Sequence, residues 1–178
     1  MKLHFDSNQE YQIAAIRAVT DLFEGQPLSS SDFAFSLTEP GSLLSENGLG
    51  NRLALTEEQI WENVKQIQQR NEIKTETTEL QGMNFSVEME TGTGKTYVYL
   101  RTIYELNKLY GFKKFVIVVP SIAIREGVLK NLQITHEHFQ TLYDKVQINY
   151  DVYNSRKVPN LHGFAFNNAI HSDYGNKH

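Results

Sequence analysis

The stretch FSVEMETGTGKTYVYL, residues 85–100, decides how this chain is read. From Met89 to Thr96 it follows the spacing Gly-x-x-x-x-Gly-Lys-Ser/Thr of a phosphate-binding loop, with methionine in place of the first glycine. NFSVEM alternates, with Phe85, Val87 and Met89 on one face, as a strand does. TYVYLRTIYELNKLY then reads as a helix that Gly111 stops. Strand, glycine loop and helix in that order form the context in which the loop has chemical meaning. Its backbone N–H groups, assisted by the helix dipole, enclose an anion. Gly92 and Gly94 let the backbone take positive φ and come close to phosphates. Lys95 is placed to reach the outer phosphates, and the Thr96 hydroxyl to ligate Mg²⁺. The candidate nucleotide-binding set is therefore Thr91, Gly92, Thr93, Gly94, Lys95 and Thr96, with Lys95 the candidate catalytic cation, Thr96 the metal ligand, and a nucleoside phosphate with Mg²⁺ the expected ligands. Met89 stands at the strand end, where its side chain can turn to the core while its backbone makes the bend.

Working outward, KFVIVVP (114–120) is a nearly continuous β-branched run. Such a run is expected for a strand buried on both faces of a parallel sheet. SIAIREGVLKNLQITHEHFQTLY follows as a helix with Ser121 as N-cap. VQINYDVYN reads as a third strand, and FAFNNAI as the possible start of a fourth. Upstream, NQEYQIAAIRAVTDLFEG has Tyr11, Ala14, Ala15, Ala18, Val19 and Leu22 at helical spacing, ended by Gly25 and Pro27. Residues 27–51 are rich in Ser, Gly, Pro and Asn and show no period, as in a long loop or inserted element. LTEEQIWENVKQIQQRNEI is a second helix, opened by the capping box Thr56–Gln59. These readings divide the chain into an N-terminal helix (1–26), an insertion carrying one helix (27–82) and a phosphate-loop domain (83–178). The fold class is α/β, a parallel sheet flanked by helices.

Composition narrows the function classes. Of 178 residues, 40% are hydrophobic and 21% charged, enough apolar material for a core. No apolar run reaches the length of a membrane span, and the opening MKLHFDSNQE lacks the apolar stretch of a secretory leader, so no membrane partner is expected. The chain has no cysteine, which excludes disulfides and thiolate chemistry. Cytoplasm is the expected location. A net charge of −4 argues against a broadly basic nucleic-acid surface, so any DNA contact is local. His136 and His138 stand two apart on a helix and do not face each other.

METGTGKTYVYLRTIYEL together with FVIVVPSIAIREGV resembles the first two helicase motifs of the restriction (Res) subunit of type III restriction-modification enzymes, which are similar to superfamily-2 helicases. In that family Met-Glu-Thr-Gly-Thr-Gly-Lys-Thr is the expected form of the loop. The likeness runs over roughly residues 1–140 and is weakest in the Ser-rich insertion. It implies a RecA-like motor domain, incomplete here, belonging to an ATP-dependent DNA translocase and endonuclease that works with a DNA-methylating modification (Mod) subunit. It also implies that Gln12, in YQIAAI, reads adenine, a task suited to an amide that both donates and accepts. Gln9 is a second candidate, and Phe5 a stacking partner for the base. On the pattern alone, without the resemblance, the simpler reading of Gln12 is a solvent residue of an amphipathic helix. Ser121 and Arg125 fall where the family touches the nucleic-acid backbone; the alternative, a helix cap and an exposed arginine, stays open.

Hydrolysis needs an acidic motif, apolar residues ending in Asp-Glu, to hold the metal and orient water. No Asp-Glu pair occurs in the sequence. The expectation is a chain that binds adenine nucleotides weakly, if at all, and does not turn them over, enzymatic only as part of the full-length hydrolase. The alternative is a self-standing phosphate-loop binding module or small phosphotransferase. A small kinase needs an arginine-rich lid, and Arg52 is the only arginine in residues 27–55.

Overall fold

A computed structural model describes residues 5–28, 51–74, 79–80, 82–152 and 170–176, the last segment as backbone course only. The chain separates into two compact units, residues 1–27 with 53–110 and residues 28–52 with 111–178. Among the described residues, no helix is long and apolar enough to cross a membrane.

The first unit is built from three helices: α1 (Glu10–Thr20), α2 (Glu57–Arg70) and α3 (Lys95–Tyr110). A turn of 3-10 helix, Asp21–Phe23, extends α1. The start of α2 is fixed locally. The Thr56 hydroxyl accepts from the Gln59 amide, and the Gln59 side chain accepts in return from the Thr56 amide. Ile60 and Val64 of α2 bury against Leu22, with Phe23, Leu55, Trp61, Ile67 and Leu80 around them. Asn63 donates to the carbonyls of Leu22 and Glu24 and so ties α2 to the end of the 3-10 turn. α1 packs on α3. The Tyr110 hydroxyl at the end of α3 donates to the Thr20 carbonyl at the end of α1.

Two sequence expectations fail in this unit. α1 does not bury its alanine-rich stripe. Its buried positions are Gln12, Ile16 and Thr20, four residues apart on another face. Of that stripe Leu22, just beyond α1 in the 3-10 turn, is buried, while Tyr11, Ala14, Ala15, Ala18 and Val19 join it in lining a cavity of about 1450 Å³. The opposite wall of that cavity is the chain from Met83 to Thr93. This is the stretch expected to be a strand, and residues 84–90 form none. Phe85 and Val87 are exposed. The physical reason is common to both corrections. A strand exists through its ladder, and among the described residues nothing pairs with 84–90, so the alanine face of α1 has no sheet to pack on.

The second unit contains a three-stranded parallel sheet and α4 (Ile122–Leu142). β1 (Lys114–Val119) and β2 (Ile148–Val152) both pair with β3 (Ile170–Asn176), giving the order β1-β3-β2. In register, Lys114 faces His171 and Val119 faces Asn176, while Ile148 faces Ile170 and Val152 faces Tyr174. The third strand read from VQINYDVYN is thus present as β2. The run FAFNNAI lies outside the described residues except Ile170, where β3 begins. β1 is not buried on both faces: Val116 and Val118 are 61% and 55% exposed, so alternation survives within the apolar run. α4 lies against β1 and buries Val128, Leu132, Thr135 and Phe139. Asn51 seals the start of β1. Its Oδ1 accepts from the amides of Lys113 (2.8 Å) and Lys114 (3.0 Å), and its Nδ2 donates to the Lys114 carbonyl at 2.6 Å.

Candidate functional site

The loop between the extended segment and α3 has the backbone its glycines anticipate. Gly92 and Gly94 both take φ of +83°, a region that costs other L-residues energy. Met89 is not among the residues with positive φ. The first position of this loop therefore requires no glycine. Its carbonyl is what counts: the Lys95 ammonium donates to the carbonyls of Met89 (2.8 Å) and Glu90 (2.7 Å). The Thr93 hydroxyl donates to the same Glu90 carbonyl at 2.7 Å and tightens the turn. α3 begins at Lys95, so the loop ends at the positive pole of a 16-residue helix.

Gln12 faces this loop. It is only 7% exposed, which removes the reading of a solvent residue. Its Nε2 donates to the Thr93 carbonyl at 3.0 Å. A Cβ on Gly94 would stand 2.8 Å from that nitrogen, whereas a Cβ on Gly92 would meet nothing within 4 Å. The structure thus brings Gln12, Thr93, Gly94 and Lys95 together. The Gln9 side chain accepts from the Tyr11 hydroxyl. Phe5 stacks on Tyr97 of α3, with ring centroids 5.9 Å apart and planes 12° from parallel. Thr96 is half-buried at the second position of α3, hydrogen-bonded with Tyr99, whose phenol burial pushes up.

Among the described residues, no group of three or more His, Cys, Asp or Glu gathers. The donor set that fits Mg²⁺ is the hard hydroxyl oxygen of Thr96 beside phosphate oxygens and water. On the open side of Gly92 there is room for an anion to approach the backbone.

Ser121 and Arg125 stand on the first turns of α4, in the other unit. The Ser121 hydroxyl accepts from the Ile124 amide at 3.3 Å, the N-cap geometry expected of it. Arg125 is not an open cation. Its guanidinium donates twice to Glu126 Oε1, at 2.9 and 3.2 Å, and its side chain is 24% exposed.

Sequence reasoning missed Arg101. Its Nη1 donates to the Ser7 carbonyl at 2.6 Å, and its Nε lies 3.8 Å from Glu105. The one signal available was the helical spacing of Tyr97, Arg101 and Glu105. The partner is a backbone atom 94 residues upstream, which no local pattern announces.

The family described as type III restriction enzyme, res subunit, matches residues 7–160, which include α1, the loop, α3, β1 and α4. The chain belongs to this Res family. Over 145 residues it is 32% identical to the type III restriction-modification enzyme EcoPI Res subunit of Escherichia phage P1. Over 146 residues it is 34% identical to the EcoP15I Res subunit of Escherichia coli. In each case the match covers 79% of this chain and 14% of the relative. A shorter stretch of 67 residues, 36% of this chain and 7% of the relative, is 48% identical to the StyLTI Res subunit of Salmonella typhimurium strain LT2. The chain thus spans about a seventh of the length of the EcoPI and EcoP15I Res subunits it matches.

Proposed function

We propose that this chain is the ATP-binding part of a Res-type, ATP-dependent DNA translocase and endonuclease, working with a DNA-methylating Mod subunit. The observation that carries the reading is the loop itself. Two glycines at positive φ lead into α3, with Lys95 at its first residue and the Gln12 amide pressed against the Thr93 carbonyl. In this reading Thr91 to Thr96 supply backbone donors to phosphate oxygens. The Lys95 ammonium leaves the carbonyls of Met89 and Glu90 for the outer phosphates, and Thr96 holds Mg²⁺. Gln12 reads adenine, donating and accepting at its edge. Bound Mg²⁺ contributes charge neutralisation on the phosphates.

The fold that suits this role is RecA-like. Residues 84–90 then serve as the phosphate-loop strand of a parallel sheet. On α4, Ser121 and Arg125 contact the DNA backbone, Arg125 exchanging Glu126 for a phosphate oxygen.

These 178 residues contain no Asp-Glu pair to orient water, so they hold nucleotide without cleaving it. The test is a titration of MgATP into the purified chain and its Lys95→Ala variant, alongside a phosphate-release assay. Wild type binds, the variant does not, and neither releases phosphate. Equal affinity of the two proteins refutes the site. Lys95-dependent turnover refutes the claim that cleavage needs residues this chain lacks.

A further inference from the structure

We propose that Arg101 is a positioning residue for nucleobase recognition, holding the segment Phe5–Gln9 against α3 so that Gln12 meets the phosphate loop. The inference rests on the nucleotide-binding reading of the loop and concerns how its base selectivity is built.

The head of α1 lacks a side-chain cap: its N-cap is Gln9, whose side chain makes no capping hydrogen bond. Without a side-chain cap the first turn of a helix frays more readily, even though the Gln12 amide donates to the Gln9 carbonyl at 3.0 Å. Gln12 lies within that first turn, where fraying would move it most. The anchoring that the cap does not give comes from α3. Arg101 donates to the Ser7 carbonyl two residues before the cap. One turn earlier on the same face, Tyr97 stacks on Phe5. The turn itself is closed by the Asn8 amide donating to Asp6 Oδ1 at 2.9 Å. One helix therefore carries, in order, Lys95 for the phosphates, Tyr97 for Phe5 and Arg101 for Ser7. The base-facing segment and the phosphate-facing loop are referred to a single rigid element.

Arginine suits this position chemically. Its side chain is only 13% exposed, and Glu105 at 22% stands 3.8 Å from Nε. A buried guanidinium is costly unless its donors are satisfied. Here its planar fork has a carbonyl on one side and a carboxylate on the other. The Tyr97 hydroxyl also faces it: Arg101 opposes the rise that burial imposes on that phenol. A lysine keeps one donor for the Ser7 carbonyl but cannot span both partners. An apolar residue leaves the segment without its tie.

The experiment compares wild type, Arg101→Ala and Arg101→Lys by calorimetric titration with MgATP, MgGTP and magnesium tripolyphosphate. Amide exchange is followed over residues 6–12 and over α3. In Arg101→Ala we expect ATP affinity to fall about tenfold, the size of one lost hydrogen bond to a charged donor. Affinity for tripolyphosphate holds, so the ATP over GTP preference collapses. Amides 8–12 exchange about tenfold faster while those of α3 keep their protection. Arg101→Lys retains most of the preference. If the alanine variant does not fold, Arg101→Gln keeps the aliphatic stem and gives the same readouts. An equal loss for all three ligands makes Arg101 a merely structural residue and overturns the proposal, as does an unchanged ATP over GTP ratio. A wild-type chain that binds tripolyphosphate but does not distinguish ATP from GTP overturns this inference alone. One that binds none of the three overturns the nucleotide site beneath it as well.

Discussion

The contact between Gly94 and Gln12 makes a quantitative prediction that needs no ligand. Gly92 and Gly94 share a φ of +83°, so alanine at either position pays the left-handed cost of about 1–2 kcal/mol. The two sites differ in what the new methyl group meets. At Gly92 it meets nothing within 4 Å, and at Gly94 it falls 2.8 Å from Gln12 Nε2. That amide has to withdraw, which breaks its 3.0 Å bond to the Thr93 carbonyl, a loss of about 1 kcal/mol. Gly92→Ala should therefore cost about 1–2 kcal/mol and Gly94→Ala about 2–3 kcal/mol. The distinguishing quantity is the coupling. In a Gln12→Ala background the bond is already gone, so Gly94→Ala costs only its φ term. The Gly94–Gln12 cycle then closes with about 1 kcal/mol of interaction, while Gly92–Gln12 is additive within about 0.5 kcal/mol. Urea unfolding followed by Trp61 fluorescence measures it. Trp61 is the single tryptophan and packs on the cluster of the same unit as the loop. If both cycles are additive, Gln12 is not seated on the loop as described.

Two further predictions address the rest of the molecule. Asn51→Ala removes both acceptor bonds to Lys113 and Lys114 and the donor bond to the Lys114 carbonyl; the amides of Lys113 and Lys114 should exchange about tenfold faster or more, and unchanged exchange would show that the strand start does not depend on Asn51. At high pH the buried Tyr104 is decisive, because burial pushes its phenol up to about 12. The unfolded phenol ionises near 10, so the neutral side chain's contribution is complete below that value and is lost as pH rises from 10 through 12. The thermal midpoint should fall across that window, and Tyr104→Phe should flatten part of the fall, the remainder coming from Tyr97, Tyr99 and Tyr110, which burial also raises. An identical slope in the variant would contradict the assignment.

What could be read from the sequence was the chemistry that neighbours in the chain perform on each other. Thr56 and Gln59 cap α2 across three residues, Ser121 caps α4 in the same way, and two glycines supply the loop's φ. What could not be read depends on distant partners. The buried face of α1 is set by Thr93, 81 residues from Gln12, and by Tyr110, 90 residues from Thr20. Hydropathy alone favoured the alanine stripe, because the polar Gln12 and Thr20 look like surface residues until their partners are known. The stretch 84–90 has the alternation of a strand but, among the described residues, no ladder, and alternation states which faces a strand would have, not whether a neighbour is present. Met89 joins the two kinds of information. As a letter it departs from the phosphate-loop pattern. As backbone it does what the loop needs there, giving its carbonyl to Lys95 at a φ that any residue can adopt. A glycine is required where the chain must turn left-handed, at positions 92 and 94, and at position 89 the requirement falls on the carbonyl, which every residue has.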